Sequence, residues 1–229
     1  MTTLVGIKAE MGKKGVVFGS DLSSTIISWE SRGDTAYKQQ TKQDSQKIYV
    51  NNSGTAALGM AGINDDLYKR FLSDFTEDKF NLKRIIKNKY FKELLDLNLG
   101  RWGGRKPDNE KSNGLLMATR IGEPRLYTCW SLGMIEERPW TSIGSGSDYA
   151  IDHIKKQPKI IPEKISISDG IDMAIEALDR ASQDIYTGGL DLVIITSEKI
   201  DDFGKDIRER ADKAKKEGIE HIKSHFKGK

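Results

Sequence analysis

Leu4-Val5-Gly6-Ile7-Lys8-Ala9, followed by the turn composition Gly12-Lys13-Lys14-Gly15 and then Val16-Val17-Phe18, is the stretch from which the fold is read. Two β-prone apolar runs flank residues suited to a turn, so a β-hairpin is predicted at the very N-terminus. Beyond it, a polar stretch rich in Ser, Lys and Gln, at about 28–44, predicts a long loop. A second pair of apolar runs follows, Lys47-Ile48-Tyr49-Val50 and residues 56–62. They are broken at Asn51-Asn52-Ser53-Gly54, a strong hairpin-turn signal.

From Asp65 the apolar spacing becomes helical: Leu67, Phe71, Leu72 and Phe75 share one face, and Leu82, Ile85, Ile86 and Leu94 continue the pattern after a break. Residues 100–114 have loop composition, and the runs 115–120, 125–131 and 139–143 read as strands. Residues 147–157 predict a helix. Ser166 with Asp169 three residues on matches a capping box, opening a second helix with Ile171, Ala174, Ile175, Leu178 and Ile185 on one stripe. A strand at 190–196 and a charged C-terminal helix at about 201–225 complete the chain. Blocks of strands and helices without βαβ alternation predict an α+β fold in a single domain, 1–229.

The chain has 229 residues, 37 Lys+Arg against 34 Asp+Glu, and a single cysteine, Cys129. Its size suits one large domain, and one cysteine excludes a disulfide framework. With 37% hydrophobic and 31% charged residues in near balance, it has the material for a core and not the profile of a disordered chain. A net charge of +3 is too small for an electrostatic footprint on nucleic acid. No run approaches the roughly 20 apolar residues of a membrane span, and the N-terminus lacks a secretory signal pattern. No nucleic-acid partner, no membrane and a cytoplasmic location are therefore expected.

Chemistry enters at Met1-Thr2. Once Met1 is removed, Thr2 would carry a hydroxyl nucleophile and an α-amine in one residue, and the amine, with a reference pKa of roughly 7.7–8.0, can serve as base for its own hydroxyl. Many chains begin Met-Thr without catalytic reason, so the feature needs support from elsewhere.

That support is a resemblance to the β-subunits of the 20S proteasome, members of the N-terminal-nucleophile hydrolase superfamily. Thr2-Thr3-Leu4-Val5-Gly6-Ile7 is similar to the mature N-terminus of an archaeal-type β-subunit, and Gly19-Ser20-Asp21 resembles the segment holding the family's acidic residue. Lys47 matches the catalytic lysine, Thr25 the threonine lining the substrate cleft, and Met60-Ala61-Gly62 the strand that supplies the oxyanion-binding N–H. Gly144-Ser145-Gly146-Ser147 resembles the family's Gly-Ser-Gly-Ser turn, and Asp184-Ile185-Tyr186-Thr187-Gly188-Gly189 its Asp-x-x-Ser-Gly-Gly element with Thr for Ser. The matches occur in family order over residues 2 to about 196. They imply a four-layer αββα sandwich and a threonine peptidase with Thr2, Asp21, Lys47, Ser145, Asp184 and Thr187 catalytic, and Thr25, Met60 and Gly62 binding substrate.

The residue types make chemical sense. A cation at Lys47 lowers the cost of an alkoxide on Thr2 and keeps the α-amine neutral; Asp21 orients Lys47; Ser145, Asp184 and Thr187 can hold the amine by hydrogen bonds. The Gly62 N–H would stabilise a tetrahedral oxyanion. Taken singly, Asp21 also suits a turn or helix cap, Lys47 a solvated strand end, Ser145 and Ser147 a helix cap, and Asp184 with Thr187 a polar helix terminus.

Two departures from the family stand out. The Asp21 to Lys47 interval is about ten residues longer than usual, in a segment that helps wall the specificity pocket, and the two helices after Asp65 are short. The resemblance implies peptide or unfolded polypeptide as substrate and a ring-forming oligomer with α-type subunits and an ATPase as further partners. It implies no cofactor and no metal. An HslV-like peptidase, a proteasome-like transpeptidase and a non-catalytic assembly subunit that retains Met1 share the same features. Arg32-Gly33-Asp34 and the sequon Asn51-Asn52-Ser53 carry meaning only outside the cell, and His221 with His225 lacks a third metal ligand.

Overall fold

In the computed structural model of the chain, residues 2–32, 35–44, 46–61, 66–79, 114–129, 135–158, 160–183, 190–203 and 223–224 are described. The strands are β1 (Thr3–Ala9), β2 (Gly15–Ser20), β3 (Ser23–Arg32), β4 (Thr35–Asp44), β5 (Ile48–Val50), β6 (Ala56–Met60), β7 (Leu115–Thr119) and β8 (Arg125–Cys129). After them come β9 (Ile135–Glu137), β10 (Trp140–Gly144), β11 (Asp191–Thr196) and β12 (Ile200–Asp202). The helices are α1 (Asp66–Thr76), α2 (Ser147–Lys155) and α3 (Ile167–Ala181), with a short 3₁₀ turn at Pro162–Lys164.

The first hairpin forms as the sequence predicts: β1 and β2 pair antiparallel, Leu4 opposite Ser20 and Ala9 opposite Gly15. β10 joins the other edge of β1 and β11 the other edge of β2, so the first sheet runs β10-β1-β2-β11-β12. Both of its faces are buried. Val5, Ile7, Val17, Leu192 and Ile194 point to one side, against Ile171, Ala174, Ala177 and Leu178 of α3. Leu4, Val16, Phe18, Val193 and Ile195 point to the other, against Ile48, Ala57, Leu116, Ala118 and Leu126 of the second sheet, β5-β6-β7-β8-β9. Burial on both faces explains why Leu192-Val193-Ile194-Ile195 reads as an unbroken apolar run rather than an alternation. With α2 and α3 on the first sheet and α1 against β5 of the second, the layers follow the αββα order of an α+β sandwich.

Two glycines set how the sheets meet. A β-carbon at Gly6 on β1 would lie 2.6 Å from Leu126 Cδ1, and one at Gly59 on β6 would lie 2.7 Å from Phe18 Cζ and 2.8 Å from Leu4 Cδ2. Each sheet therefore has a socket for a large side chain of the other. At the end of the sandwich remote from Thr3, Arg120 Nε donates to Gly54 O at 2.5 Å and its Nη1 to Glu198 O at 3.1 Å, joining a turn of each sheet. Lys14 and Glu123 pair there as well, at 2.8 Å.

Local signals act as expected at two places. Ser166 Oγ accepts from the Asp169 N–H at 3.1 Å while Asp169 Oδ2 accepts from the Ser166 N–H at 3.0 Å, the reciprocal cap of α3. The Asn51 side chain accepts from the N–H groups of Thr55 and Ala56, both at 2.9 Å, closing the turn between β5 and β6. Asn51 is thereby buried within the turn, a structural asparagine rather than an exposed acceptor for sugar.

The polar segment at about 28–44 differs from expectation. It is not a loop: β3 and β4 pair antiparallel from Ser23 opposite Asp44 to Arg32 opposite Thr35. Thr, Ile, Trp and Tyr supply strand propensity in it without the one-faced apolar alternation that burial would impose. The C-terminal helix cannot begin at 201, because Asp201 and Asp202 lie in β12, opposite Ile194 and Val193. Its remainder, apart from helical residues 223–224, lies outside the described residues, as do the helix expected at 82–94 and residues 100–113. β9 is an additional strand of three residues. Among the described residues no helix is long and apolar enough to cross a membrane.

Candidate active site

Three chain segments converge at the start of β1. Asp21 directly follows β2, Lys47 directly precedes β5, and each is brought to the chain start by its own sheet. The Asp21 carboxylate bridges them: Oδ1 accepts from the Thr3 N–H at 2.5 Å and Oδ2 accepts from Lys47 Nζ at 2.8 Å. Asp21 also donates its own N–H to Thr3 O at 3.1 Å, so residue 3 is held on both sides by one residue. Asp21 is fully buried and Lys47 nearly so, at 5% side-chain exposure. A buried ion pair of this kind is held by geometry; removal of either member leaves an uncompensated charge.

The second support comes from the turn after β10. The Ser145 N–H donates to Thr2 O at 3.0 Å, and the Gly146 N–H donates to Thr3 Oγ1 at 2.9 Å. Gly144 sits opposite Thr3 with φ +106°, and a β-carbon there would overlap the Thr2 carbonyl oxygen and lie 2.6 Å from its carbon. Only glycine combines that backbone angle with that approach. Thr2 is thus held through its carbonyl and its neighbour.

Burial pushes the Asp21 carboxyl above the ordinary aspartate range, with Lys47 and the Thr3 N–H acting against it. Because a raised value favours the protonated acid in the folded chain, the contribution of Asp21 to stability is fullest below the unfolded value of about 3.9 and is lost as pH rises through the folded value.

Of the residues singled out from the sequence, Thr2, Asp21, Lys47 and Ser145 come together, Ser145 through its backbone while its side chain is exposed. Met60 ends β6 and is buried, opposite Leu115. Thr25 lies on β3 opposite Lys42. Gly62, Asp184 and Thr187 lie outside the described residues. Thr3 and Gly144 emerge as supports that residue-type reasoning did not single out; the Gly-Ser-Gly-Ser spelling was the available signal, but it is also common loop composition.

Comparison with known proteins adds independent findings. A family model described as "Proteasome subunit" matches residues 2–195. "Proteasome subunit beta 1" of Thermococcus sibiricus is 28% identical over 211 residues, covering 90% of this chain and 91% of that protein. "Proteasome subunit beta 2" of Pyrococcus furiosus is 33% identical over 78 residues, covering 33% of this chain and 36% of that protein. A relative in Thermococcus gammatolerans, "Proteasome subunit beta 1", is 32% identical over a stretch of the same length, 78 residues.

Proposed function

The chain belongs to the proteasome subunit family, and on that premise we propose that it is a threonine-type peptidase whose nucleophile is the Thr2 hydroxyl. The observation that carries this reading is the bridge made by Asp21, which ties the Thr3 N–H at 2.5 Å to Lys47 at 2.8 Å. One carboxylate thus holds both a buried cation and the N–H of the residue next in the chain to the candidate nucleophile.

Loss of Met1 frees the Thr2 α-amine. The amine takes the hydroxyl proton as Oγ1 attacks the peptide carbonyl, and Lys47 stabilises the developing charge. An N–H at Gly62 holds the oxyanion. The C–N bond breaks, the proton passes to the departing amine, and water then hydrolyses the Thr2 ester. Ser145, Asp184 and Thr187 orient the α-amine, and Thr25, Met60 and Gly62 line the path of an extended peptide. The working form is a cytoplasmic ring-forming oligomer, with α-type subunits and an ATPase as partners and unfolded polypeptide as substrate.

Mass spectrometry tests the assignment directly. The active protein is expected to lack Met1, and a β-lactone or vinyl sulfone electrophile is expected to add once, on residue 2. Met1 quantitatively retained under assay conditions, or an adduct on another residue, would sink the nucleophile assignment.

The buried pair also sets a pH dependence. Catalysis that needs Asp21 ionised loses activity as pH falls through its raised pKa, so the acid limb of kcat/KM should lie above the ordinary carboxylate value of about 3.9. Asp21→Asn should lose most activity, and any residue of it should lack that limb. A variant whose profile matched the original would separate Asp21 from the chemistry.

A further inference from the structure

Thr3 is fully buried, and the peptidase reading gives its hydroxyl no part. On β1 it shares the face of Val5 and Ile7, which pack toward α3, whereas Leu4 faces the second sheet, to which Lys47 belongs. The hydroxyl therefore works from behind the residue that would react. What it meets there is the start of α2. Gly146, the N-cap of that helix, has no side chain with which to cap it; the contact runs the other way, its N–H donating to Thr3 Oγ1 at 2.9 Å.

Two consecutive N–H groups of one turn thus hold two consecutive residues of β1 and its approach. The Ser145 N–H holds the Thr2 carbonyl at 3.0 Å, and the Gly146 N–H holds the Thr3 hydroxyl. Only the second bond depends on a side chain. Gly146 is also tightly enclosed: a β-carbon on it would lie 2.7 Å from Thr3 Oγ1, 2.9 Å from Ala181 Cβ and 3.0 Å from Ala181 O, at the end of α3. Without the Thr3 oxygen, the buried Gly146 donor loses its acceptor, and it finds another only if the turn moves and takes the Ser145 N–H with it.

We propose, resting on the peptidase reading above, that Thr3 is a positioning residue: through Oγ1 it fixes the turn that holds the Thr2 carbonyl, and so aims the Thr2 hydroxyl. Because Thr3 is fully buried, substrate does not reach its side chain, and its loss acts on rate rather than on binding. Displacing a reacting group by about 1 Å costs roughly a hundredfold in rate. The Thr3 N–H stays on Asp21 Oδ1 whatever the side chain, so the ionisation of Asp21 should be unchanged.

The test separates oxygen from shape. Thr3→Ser keeps the oxygen without the methyl group, Thr3→Val keeps the branched shape without the oxygen, and Thr3→Ala loses both. On a short peptide, kcat should stay within about threefold in Thr3→Ser and fall about a hundredfold in Thr3→Val and Thr3→Ala. The inhibition constant of an uncleavable analogue of that peptide should stay within about threefold throughout. Rates are taken per site labelled to completion by a β-lactone, so that unfolded protein is not counted. The acid limb of kcat/KM should keep its position in all three.

An order set by shape, with valine close to the original and serine close to alanine, would overturn the proposal. So would variants that melt earlier but keep their kcat, a loss that shows in the inhibition constant, or a shifted acid limb, which would place the effect at Asp21. If Thr3→Val does not fold, serine against alanine still isolates the oxygen, since those side chains differ by that atom alone; a serine variant that is unfolded or as slow as alanine counts against the proposal. Original protein that neither cuts the peptide nor takes the label would instead fall on the peptidase reading.

Discussion

Replacing Thr2 by alanine is expected to lower hydrolysis of a short peptide by a factor on the order of 10⁴ or more, in line with loss of a nucleophile that acts with its base as a unit. The fold should survive. The contact that anchors residue 2 is its carbonyl on the Ser145 N–H at 3.0 Å, which alanine keeps, and the Asp21 bridge runs through the Thr3 backbone. Thr2→Ser tests the same point from the other side. Serine restores the hydroxyl but loses the β-branch that limits rotation about the first side-chain torsion, so partial activity is expected, above alanine and below threonine. The measurement is kcat/KM on a short peptide with circular dichroism as the fold control. Alanine activity within tenfold of the original would exclude Thr2 as nucleophile.

Gly144→Ala should have the largest effect on the structure itself. Its added methyl would overlap the Thr2 carbonyl, a backbone group that cannot rotate away, at a φ of +106° that L residues rarely adopt. Relief requires moving the Thr2–Thr3 segment, which would strain its bonds to Ser145, Gly146 and Asp21 together. The expected outcome is a loss of more than about 4 kcal/mol, or roughly 10 °C or more in thermal midpoint, and loss of activity in whatever folds. Gly122→Ala is the matched control, since Gly122 also has positive φ, +81°, but nothing within 4 Å of an added β-carbon. It should cost only about 1–2 kcal/mol, the backbone term alone. Equal losses for the two variants in thermal unfolding would show that contact with Thr2 does not matter.

The contrast between those glycines shows what a sequence can convey. The β1–β2 hairpin is legible because its apolar runs and turn residues are adjacent, and the α3 cap because Ser166 and Asp169 signal each other within one turn. The β3–β4 ribbon is not, because its Ser, Lys and Gln residues leave no apolar alternation to read. Nor does local pattern reveal that Asp21 meets Lys47 or that Gly144 meets Thr2. Those pairings are made by sheet packing across long stretches of chain; resemblance to a family pointed to the first of them and to neither glycine nor carbonyl of the second. Thr3 escaped notice for a related reason: its part is played by its backbone and by a hydroxyl that accepts from the Gly146 N–H, and the Gly-Ser-Gly-Ser spelling does not say which residue it serves.

The two glycine sockets bear on how finely the site can be adjusted. Asp21 hangs from the first sheet and Lys47 from the second, so their 2.8 Å contact measures the lateral alignment of the two sheets. Leu126 seated over Gly6, and Phe18 with Leu4 over Gly59, act like a pair of dowels in a jig. A slide of one sheet by a single residue, about 3.3 Å, would exceed the whole length of a hydrogen bond. A bulky residue at Gly59, which pairs with Ile48 next to Lys47, chosen for a gain in hydrophobic area, would therefore be felt first as a detuned lysine.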